Sequence, residues 1–368
     1  MKPVYIVAWL FALAVSFVSC DDWLDKTPKD RLYPDVYFKT EDELRLFTNQ
    51  FYNNLVPSAV DIYSESSDLI VKSDLMLEMS GQRIIPDEGN GWNFTALRDI
   101  NFYLQYSHNC TEVNARNRYD GVARFFRAYF YFEKVKRYGD IPWYDKALDS
   151  DDPELYKARD SREFVMQKML EDLDFAIANL PKTKNAYVLT RWTALALKSR
   201  VCLFEGTFRK YHGLEDCEKY LNACVSASET FMNESGYTLY KSGSTPYRDL
   251  FASINLQADE VIFGRDYEAS LSVLHNVQNY ENSTTMGRPG MNKKIVNSYL
   301  MADGSRFTDK AGYETMTFDQ ECQNRDPRLA QTIRTPGYTR IGSTKKEAPN
   351  LAYTMTGYHL IKYSMTAN

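Results

Sequence analysis

The stretch from Gly121 to Tyr144, GVARFFRAYFYFEKVKRYGDIPWY, constrains the fold more than any other part of the sequence. Large apolar side chains recur there at steps of three and four residues, which places them on one stripe of an α-helix. The stripe consists of Val122, Phe125, Phe126, Tyr129, Phe132 and Val135. Phe130 and Tyr131 lie off it, and a helix that is aromatic on several faces packs between other helices. The sequence therefore predicts a central core helix, which Gly139 brings to an end.

The composition indicates a globular protein with enough aromatic side chains to fill a core and also to form a binding surface. A length of 368 residues allows a large core or two domains. The net charge is −5 and no basic block is present, so we expect no nucleic-acid partner. Aromatic residues make up 14% of the chain, and the 27 tyrosines combine a flat apolar face with a polar tip that suits ligand binding.

The N-terminus has the pattern of a bacterial lipoprotein signal peptide. Lys2 precedes an apolar run, residues 4–18, that is short for a membrane span and ends at Ser19 and Cys20. A small residue before a cysteine at this place resembles a lipobox. We therefore predict that residues 1–19 are removed and that Cys20 is lipidated, which would attach the protein stably to a membrane. An ordinary signal peptide with an incidental cysteine is the alternative.

The remaining cysteines and the acidic runs indicate no metal site, and we expect no cofactor. Cys110, Cys202, Cys217, Cys224 and Cys322 form no CxxC pair, and the chain has only 4 histidines. Cys217 and Cys224 would lie about 10 Å apart along one helix, too far for a disulfide. The acidic run from Asp149 to Pro153 lacks the glycine of a calcium-binding loop and is interpreted as a solvated turn.

The first two thirds of the chain predict a mainly α fold built from helix pairs. Residues 20–40 form an extended tether, and the capping box from Thr40 to Glu43 begins a helix that Pro57 stops. Further helices are predicted from about Phe94 to Arg118, from a cap at Asp160 to Leu180, over residues 190–206, and over residues 214–231. The last two resemble a degenerate tetratricopeptide (TPR) pair. Stacked pairs are the natural architecture, since one pair cannot cover its own apolar faces, and an irregular helical domain is the alternative.

From Gly236 onward the helical periodicity gives way to loop-like sequence. This change predicts two parts: a TPR-like helical half, 41–235, and a smaller loop-rich half, 236–368. Short strands are predicted at Tyr237 to Tyr240 and at Glu260 to Gly264, and a helix at Lys293 to Leu300.

The sequence carries no catalytic motif. It has no GxSxG, no Walker loop, no HExxH and no GxGxxG after a strand. With 49 acidic residues, a carboxylate pair like that of a glycoside hydrolase remains an open alternative.

A few loop residues are candidates for ligand binding. Trp92 and Asn93 follow a glycine-rich run, where an indole can face a sugar ring and an amide can bond its hydroxyls. A packing tryptophan beside a helix-capping asparagine is the alternative. Arg83, Tyr267 and Tyr280 are further candidates because they lie in loop-rich stretches.

Several separated segments, in order along nearly the whole chain, resemble the SusD/RagB family of outer-membrane nutrient-binding lipoproteins. They are the lipobox and W-L-D-K-T-P at 23–28, the helix from Trp92 to Asn101, R-F-F-R-A-Y-F-Y-F…R-Y-G-D-I-P at 124–142, T-R-W-T-A-L-A-L-K-S-R-V at 190–201, D-L-F at 249–251, M-A-D-G-S at 301–305, R-D-P-R-L at 325–329 and T-G-Y-H-L-I-K-Y at 356–363. The resemblance implies a SusD-like fold of TPR-like pairs, lipid-anchored in the outer membrane and facing outside. It also implies non-catalytic binding of oligosaccharide (peptide in some branches) and delivery to a SusC-like TonB-dependent transporter.

One departure from the family pattern concerns the C-terminal half. In the family a further amphipathic helical stretch follows G-Y-x-x-x-K-Y, whereas this sequence ends at Asn368. We therefore predict a truncated member in which an apolar strip of the helical half lacks its cover. The alternatives to a glycan-binding role are a lipoprotein glycoside hydrolase and a TPR-like protein-binding scaffold.

Overall fold

The computed structural model describes residues 36–57, 68–73, 76–85, 89, 91–275 and 277–364. The α-helices within these ranges are α1 Glu41–Leu55, α2 Leu77–Ser80, α3 Thr95–Tyr106, α4 Val113–Tyr138, α5 Arg162–Asn179, α6 Arg191–His212, α7 Cys217–Glu234, α8 Pro246–Phe251, α9 Val277–Asn282, α10 Lys293–Ser298, α11 Phe318–Glu321 and α12 Pro327–Ala330. Two short strands, β1 Ile70–Val71 and β2 Gly290–Met291, pair antiparallel. The mainly α fold class predicted from the sequence is confirmed.

The predicted central helix is confirmed as α4, which packs against α1, α3 and α5. Its aromatic side chains lie in the largest core, where Phe126 is 1% exposed and Tyr131 is fully buried. Gly139 ends the helix with a positive φ of 71°, a conformation that glycine adopts without steric cost. A helix buried on most of its faces thus organises the helical half.

The prediction of one helix from Phe94 to Arg118 is wrong, because the chain breaks between α3 and α4. A short 3-10 turn, Ser107–Asn109, is followed by the extended and fully buried Cys110. The break leaves the Cys110 carbonyl outside the helical hydrogen-bond pattern. This carbonyl instead accepts from the Arg116 side chain at 3.3 Å. Serine and asparagine favour such turns by bonding nearby backbone groups. Helix α3 can therefore cross α4 instead of continuing it.

A buried ion pair joins the central helix to α5. The Arg127 guanidinium donates to both oxygens of Asp172, at 2.6 and 2.7 Å, and both side chains are almost fully buried. Arg127 also donates to Oδ1 of Asn101 on α3 at 3.3 Å. A buried pair is tolerated only when its hydrogen bonds are made, and this one is bidentate.

Helices α6 and α7 form the pair that the TPR-like pattern predicts. At Gly206 the two helices approach so closely that a Cβ would meet the Leu221 side chain at 2.7 Å. The fully buried Glu205 accepts from Arg162 at 2.6 Å and from Arg209 at 2.8 Å, which ties α6 to α5. Leu203 and Met232 on this pair are 50% and 67% exposed.

The caps of the helices differ in one place from the sequence-based prediction. The capping box of Thr40 and Glu43 is confirmed at the start of α1. The cap of α5, however, is Ser161, whose side chain accepts from the Phe164 N–H at 3.3 Å, so the prediction of Asp160 is wrong. Asp160 instead accepts from the Trp143 N–H at 2.7 Å, in the loop that follows α4.

The loop-rich half has its own small core and little sheet. The strands predicted at 237–240 and 260–264 are not formed; one backbone bond, from Thr238 N to the Asp259 carbonyl at 2.9 Å, joins these regions where a ladder would need several. The predicted helix at Lys293 is confirmed and ends at Ser298. A second core cluster consists of Val277, Tyr280, Met291, Val296, Leu329, Ile333, Tyr358 and Leu360. No helix in the described ranges is long and apolar enough to cross a membrane.

Candidate functional site

Trp92 is held at the surface by a glycine turn anchored on α4. The Trp92 N–H donates to the Gly89 carbonyl at 3.0 Å, and the Asn93 N–H donates to the Gly91 carbonyl at 2.9 Å. The Lys134 ammonium of α4 also donates to the Gly91 carbonyl. Because Gly91 has a φ of 82°, the turn requires glycine there. The indole is 40% exposed as a result, and its backbone is fixed.

Three side chains define the orientation of the Trp92 ring. Phe94 and Tyr138 make edge contacts to it, with ring centroids 5.3 and 4.9 Å away. On a face of the indole, the guanidinium carbon of Arg159 lies 5.0 Å from the ring centroid. Edge-to-face aromatic pairs and cation–π contacts each favour one orientation, so the ring is presented rather than mobile.

A cleft of about 510 Å³ opens beside this indole. One wall is the start of α3, with Phe94 and Arg98; the others are the loop around Tyr144 and the segment that carries Leu155 and Arg159. The volume is within the range of small-molecule sites, and the lining combines aromatic faces with a few polar groups.

Buried polar contacts build the wall formed by residues 142–148. The Asn101 amide donates to the carbonyl oxygens of Tyr144, at 2.9 Å, and Lys146, at 3.3 Å. The Tyr144 N–H donates to the Tyr131 hydroxyl at 2.6 Å, and the Trp143 ring stacks on Tyr131 at 4.3 Å. Since Asn101 is 1% exposed and Tyr131 is fully buried, the core itself positions this wall.

The outer wall, residues 155–159, is fastened to the same loop from its other end. Asp160 accepts from the Trp143 N–H at 2.7 Å, and the Lys157 ammonium donates to the Trp143 carbonyl at 2.6 Å. Lys157 and Asp160 also form an ion pair at 3.0 Å. The cleft is therefore preformed rather than assembled by a ligand.

Tyr144 and Lys146 have perturbed protonation equilibria on the cleft wall. Burial raises the pKa of Tyr144, whose hydroxyl donates to the Leu155 carbonyl at 3.2 Å. A hydrogen bond to Glu154 raises the pKa of Lys146. No carboxylate lines the cleft in the described part of the chain. Over the same residues no cluster of three or more histidine, cysteine or acidic side chains could hold a metal ion.

Of the ligand-binding residues predicted from the sequence, the cleft brings in Trp92. Asn93 precedes Phe94, the N-cap of α3; its Oδ1 accepts from the Thr95 N–H at 2.8 Å, and it lines a neighbouring pocket of about 600 Å³ with Glu133 and Lys134. The alternative for Asn93, a helix N-cap, is therefore wrong by one position, although its side chain does bond a backbone N–H at the start of the helix.

The other predicted residues lie elsewhere. Arg83 is exposed and does not line the cleft. Tyr267 makes an edge contact to His275, with centroids 4.8 Å apart, in a separate pocket of the loop-rich half. Tyr280 is 6% exposed and belongs to the second core. Cys20, the predicted lipidation site, lies outside the described residues.

Sequence reasoning missed the segment that follows the acidic turn. Residues 153–156 form a 3-10 turn capped by Asp152, which leaves Tyr156 85% exposed, and Arg159 then reaches the Trp92 ring. The sequence signal for this segment was an aromatic residue, Tyr156, and an arginine, Arg159, in one loop. Nothing local to the sequence shows that this loop returns to residue 92.

Comparison with solved structures identifies the class of fold. A SusD-like protein of Bacteroides fragilis superposes with a TM-score of 0.73 at 21% identity, covering 92% of this chain and 72% of that one. A SusD-like carbohydrate-binding protein of the same species gives a TM-score of 0.69 at 17% identity, covering 88% and 68%. A third structure, with a xylogluco-oligosaccharide, gives 0.57 at 18% identity, covering 80% and 58%. The fold is SusD-like.

Sequence comparison then gives the family. A family model described as starch-binding and associating with the outer membrane matches residues 80–191, and the SusD family model matches residues 250–368. SusD-like protein P2 of Formosa agariphila is 26% identical over 294 residues, which cover 74% of this chain and 55% of that protein. SusD-like protein P25 of the same organism is 20% identical over 297 residues, covering 73% and 52%. This chain belongs to the SusD/RagB family, and it spans about half the length of these curated relatives.

Proposed function

We propose that this protein binds an oligosaccharide at the cell surface in the cleft beside Trp92, without chemical change to the sugar. The observation that carries the proposal is an indole 40% exposed and locked in orientation at the mouth of a preformed cleft. Family relatives support the ligand class, because one solved neighbour is a carbohydrate-binding protein and another was solved with a xylogluco-oligosaccharide.

The geometry suits a sugar for two physical reasons. The apolar face of a pyranose ring stacks on an aromatic face, and the exposed ring of Trp92 lines the cleft. Sugar hydroxyls need hydrogen-bond partners in place of water, and the ammonium of Lys146 and the guanidinium of Arg98 line the same cleft. Tyr156, which is 85% exposed and lies in sequence between the cleft residues Leu155 and Lys157, can extend the platform to a second sugar ring.

The proposal includes a place and a partner. Lipidation at Cys20 would hold the protein on the outer leaflet of the outer membrane, facing outside. From there a bound oligosaccharide is handed to a SusC-like TonB-dependent transporter. Co-purification of the lipidated protein with such a transporter supports this step, and a protein that stays monomeric in outer-membrane extracts contradicts it.

The test of binding compares the wild-type protein with Trp92→Ala. Titration calorimetry with a panel of oligosaccharides should show at least one ligand whose affinity falls about tenfold or more, as for a central aromatic contact. Tyr211→Ala is the control, because Tyr211 is 81% exposed on α6 outside the cleft and its loss should leave affinity unchanged.

Three results would contradict the proposal in part or in full. Binding of a glycan that is equal in wild type and Trp92→Ala removes the site but not the function. Release of shorter sugars, measured by chromatography of the ligand after incubation, instead favours the glycoside hydrolase alternative, and no binding of any glycan favours a protein-binding scaffold.

A further inference from the structure

The charged side chains that line the cleft beside Trp92 are all basic. Its charged lining residues are Arg98, Lys146, Lys157 and Arg159, and no acidic side chain lines it among the described residues. The chain as a whole has a net charge of −5, so this local excess of cations is a property of the site. Concave surfaces lined by one sign of charge concentrate ligands of the opposite sign.

Most of these cations already have acidic partners at the edge of the cleft. The pairs are Arg98 with Asp149 at 3.8 Å, Lys146 with Glu154 at 2.9 Å, and Lys157 with Asp160 at 3.0 Å. Their ionic interactions are therefore satisfied within the protein, and they contribute structure and a weak residual field. Such exposed pairs are each worth little in stability.

Arg159 is the exception. Over the described residues its guanidinium has neither a hydrogen bond nor an ion pair, and it lies over the Trp92 ring with Cζ 5.0 Å from the centroid. A contact through the ring face leaves the N–H donors of the guanidinium available. The structure thus presents an oriented and uncompensated cation directly over the proposed sugar platform.

We propose that the cleft selects oligosaccharides that carry an oxyanion substituent, a carboxylate or a sulfate ester, and that Arg159 binds this substituent. The inference rests on the proposed glycan-binding function and adds the class of sugar. A guanidinium offers two parallel N–H donors that match the two oxygens of a carboxylate or sulfate.

The position of Arg159 makes neutral and anionic sugars behave oppositely. A neutral sugar that stacks on the face of Trp92 covered by Arg159 must displace the guanidinium from the indole and gains no ionic partner for it. An anionic sugar pairs with the displaced guanidinium, which remains beside the ring. Removal of the charge should therefore weaken binding of anionic sugars while it leaves binding of neutral sugars unchanged or improves it.

The experiment uses calorimetric titration of the purified full chain with a uronic-acid oligosaccharide, its carboxyl-reduced neutral counterpart and a sulfated oligosaccharide. We expect wild type to bind at least one anionic ligand about tenfold more tightly than the neutral one, as for a hydrogen-bonded ion pair. Arg159→Gln should abolish this preference for the anionic ligand. Arg159→Lys keeps the charge but loses the two parallel N–H donors, so it should retain part of the preference. Raising the salt concentration should reduce the preference in wild type.

The control variant is Arg306→Gln. Arg306 is exposed and lies outside the cleft, so this variant changes the net charge by the same amount without touching the site. Its preference should equal that of wild type. The uronic-acid and sulfated ligands compare the two substituents, and competition with free glucuronate or inorganic sulfate shows whether the anion is held without the sugar platform.

The outcomes separate this inference from the proposed function. Equal affinity of wild type for neutral and anionic ligands, or a preference that survives Arg159→Gln, overturns the inference while Trp92-dependent glycan binding stands. Wild type that binds neither kind of oligosaccharide overturns both. Competition by the free anion with full potency also overturns the inference, because recognition would then not involve a sugar at all.

Discussion

Replacement of Asn101 by alanine tests whether the core builds the cleft. Asn101 is 1% exposed, donates to the carbonyls of Tyr144 and Lys146, and accepts from Arg127. Each such bond contributes about 1 kcal/mol net, and a buried group left without a partner costs about 1–3 kcal/mol. The Tyr131 hydroxyl, which lies 3.3 Å from the Pro142 carbonyl and 3.4 Å from that of Tyr144, can donate to Tyr144 in place of Asn101. Lys146 is an exposed residue that lines the cleft, so water can replace the bond to its carbonyl. We therefore expect a loss of about 2 kcal/mol, below the full value for three bonds.

The assay for Asn101→Ala has two readouts. Urea denaturation gives the free energy of unfolding, and hydrogen exchange of residues 142–148 reports local opening of the wall. Asn101→Asp is the matched variant, since its carboxylate still accepts from Arg127 but cannot donate to the loop. Both variants should speed exchange in 142–148, and aspartate should lose at least as much global stability as alanine, because its buried carboxylate faces two carbonyl oxygens. Unchanged exchange in both variants would refute the reasoning that this side chain holds the wall.

Two further predictions concern buried charge. Glu205→Gln leaves the guanidiniums of Arg162 and Arg209 short of a buried counter-ion, so the free energy of unfolding should fall by about 3 kcal/mol in urea denaturation. Glu171→Gln, at an exposed pair, should change it by less than about 1 kcal/mol, and equal effects would contradict the assignment. Burial lowers the pKa of His359 to about 4, below the 6.5 of an unfolded histidine. Between these values the unfolded chain binds the extra proton, so stability is lost as pH falls from about 6.5 to about 4. His359→Gln should flatten this part of the stability–pH curve, and a curve that keeps its slope would show that other groups cause it.

The helical half could be predicted from sequence because its signals are local. The stripe that begins at Val122, the capping box at Thr40 and the stop at Gly139 each depend on residues within a few positions. The break at Cys110 was missed because its partner contacts come from elsewhere: Asn109 donates to the carbonyl of Tyr37, 72 residues away. Periodicity carries no information about such contacts.

The cleft residues also divide into those with a local sequence signal and those placed by distant contacts. Trp92 was predicted because a tryptophan after glycines is conspicuous in the sequence itself. Arg159 was missed, since its position depends on side-chain bonds from Asp160 and Lys157 back to the Trp143 backbone. The strands predicted at 237–240 failed for a related reason: β-branched and aromatic residues indicate an extended chain, but a ladder requires a partner strand in register.

The contacts of Asn101 connect the stability of the core to the affinity of the cleft. One amide accepts from Arg127, whose guanidinium holds Asp172 of α5, and donates to the wall that faces the ligand. A wall fixed before binding adds no ordering cost to the binding free energy. Loosening of the core at Arg127 should therefore appear first as weaker ligand binding, at temperatures where the protein is still folded. This order of events distinguishes a preformed cleft from one that closes around its ligand. In a cleft that closes, the wall is already mobile before binding. Core substitutions would then lower affinity only when unfolding begins.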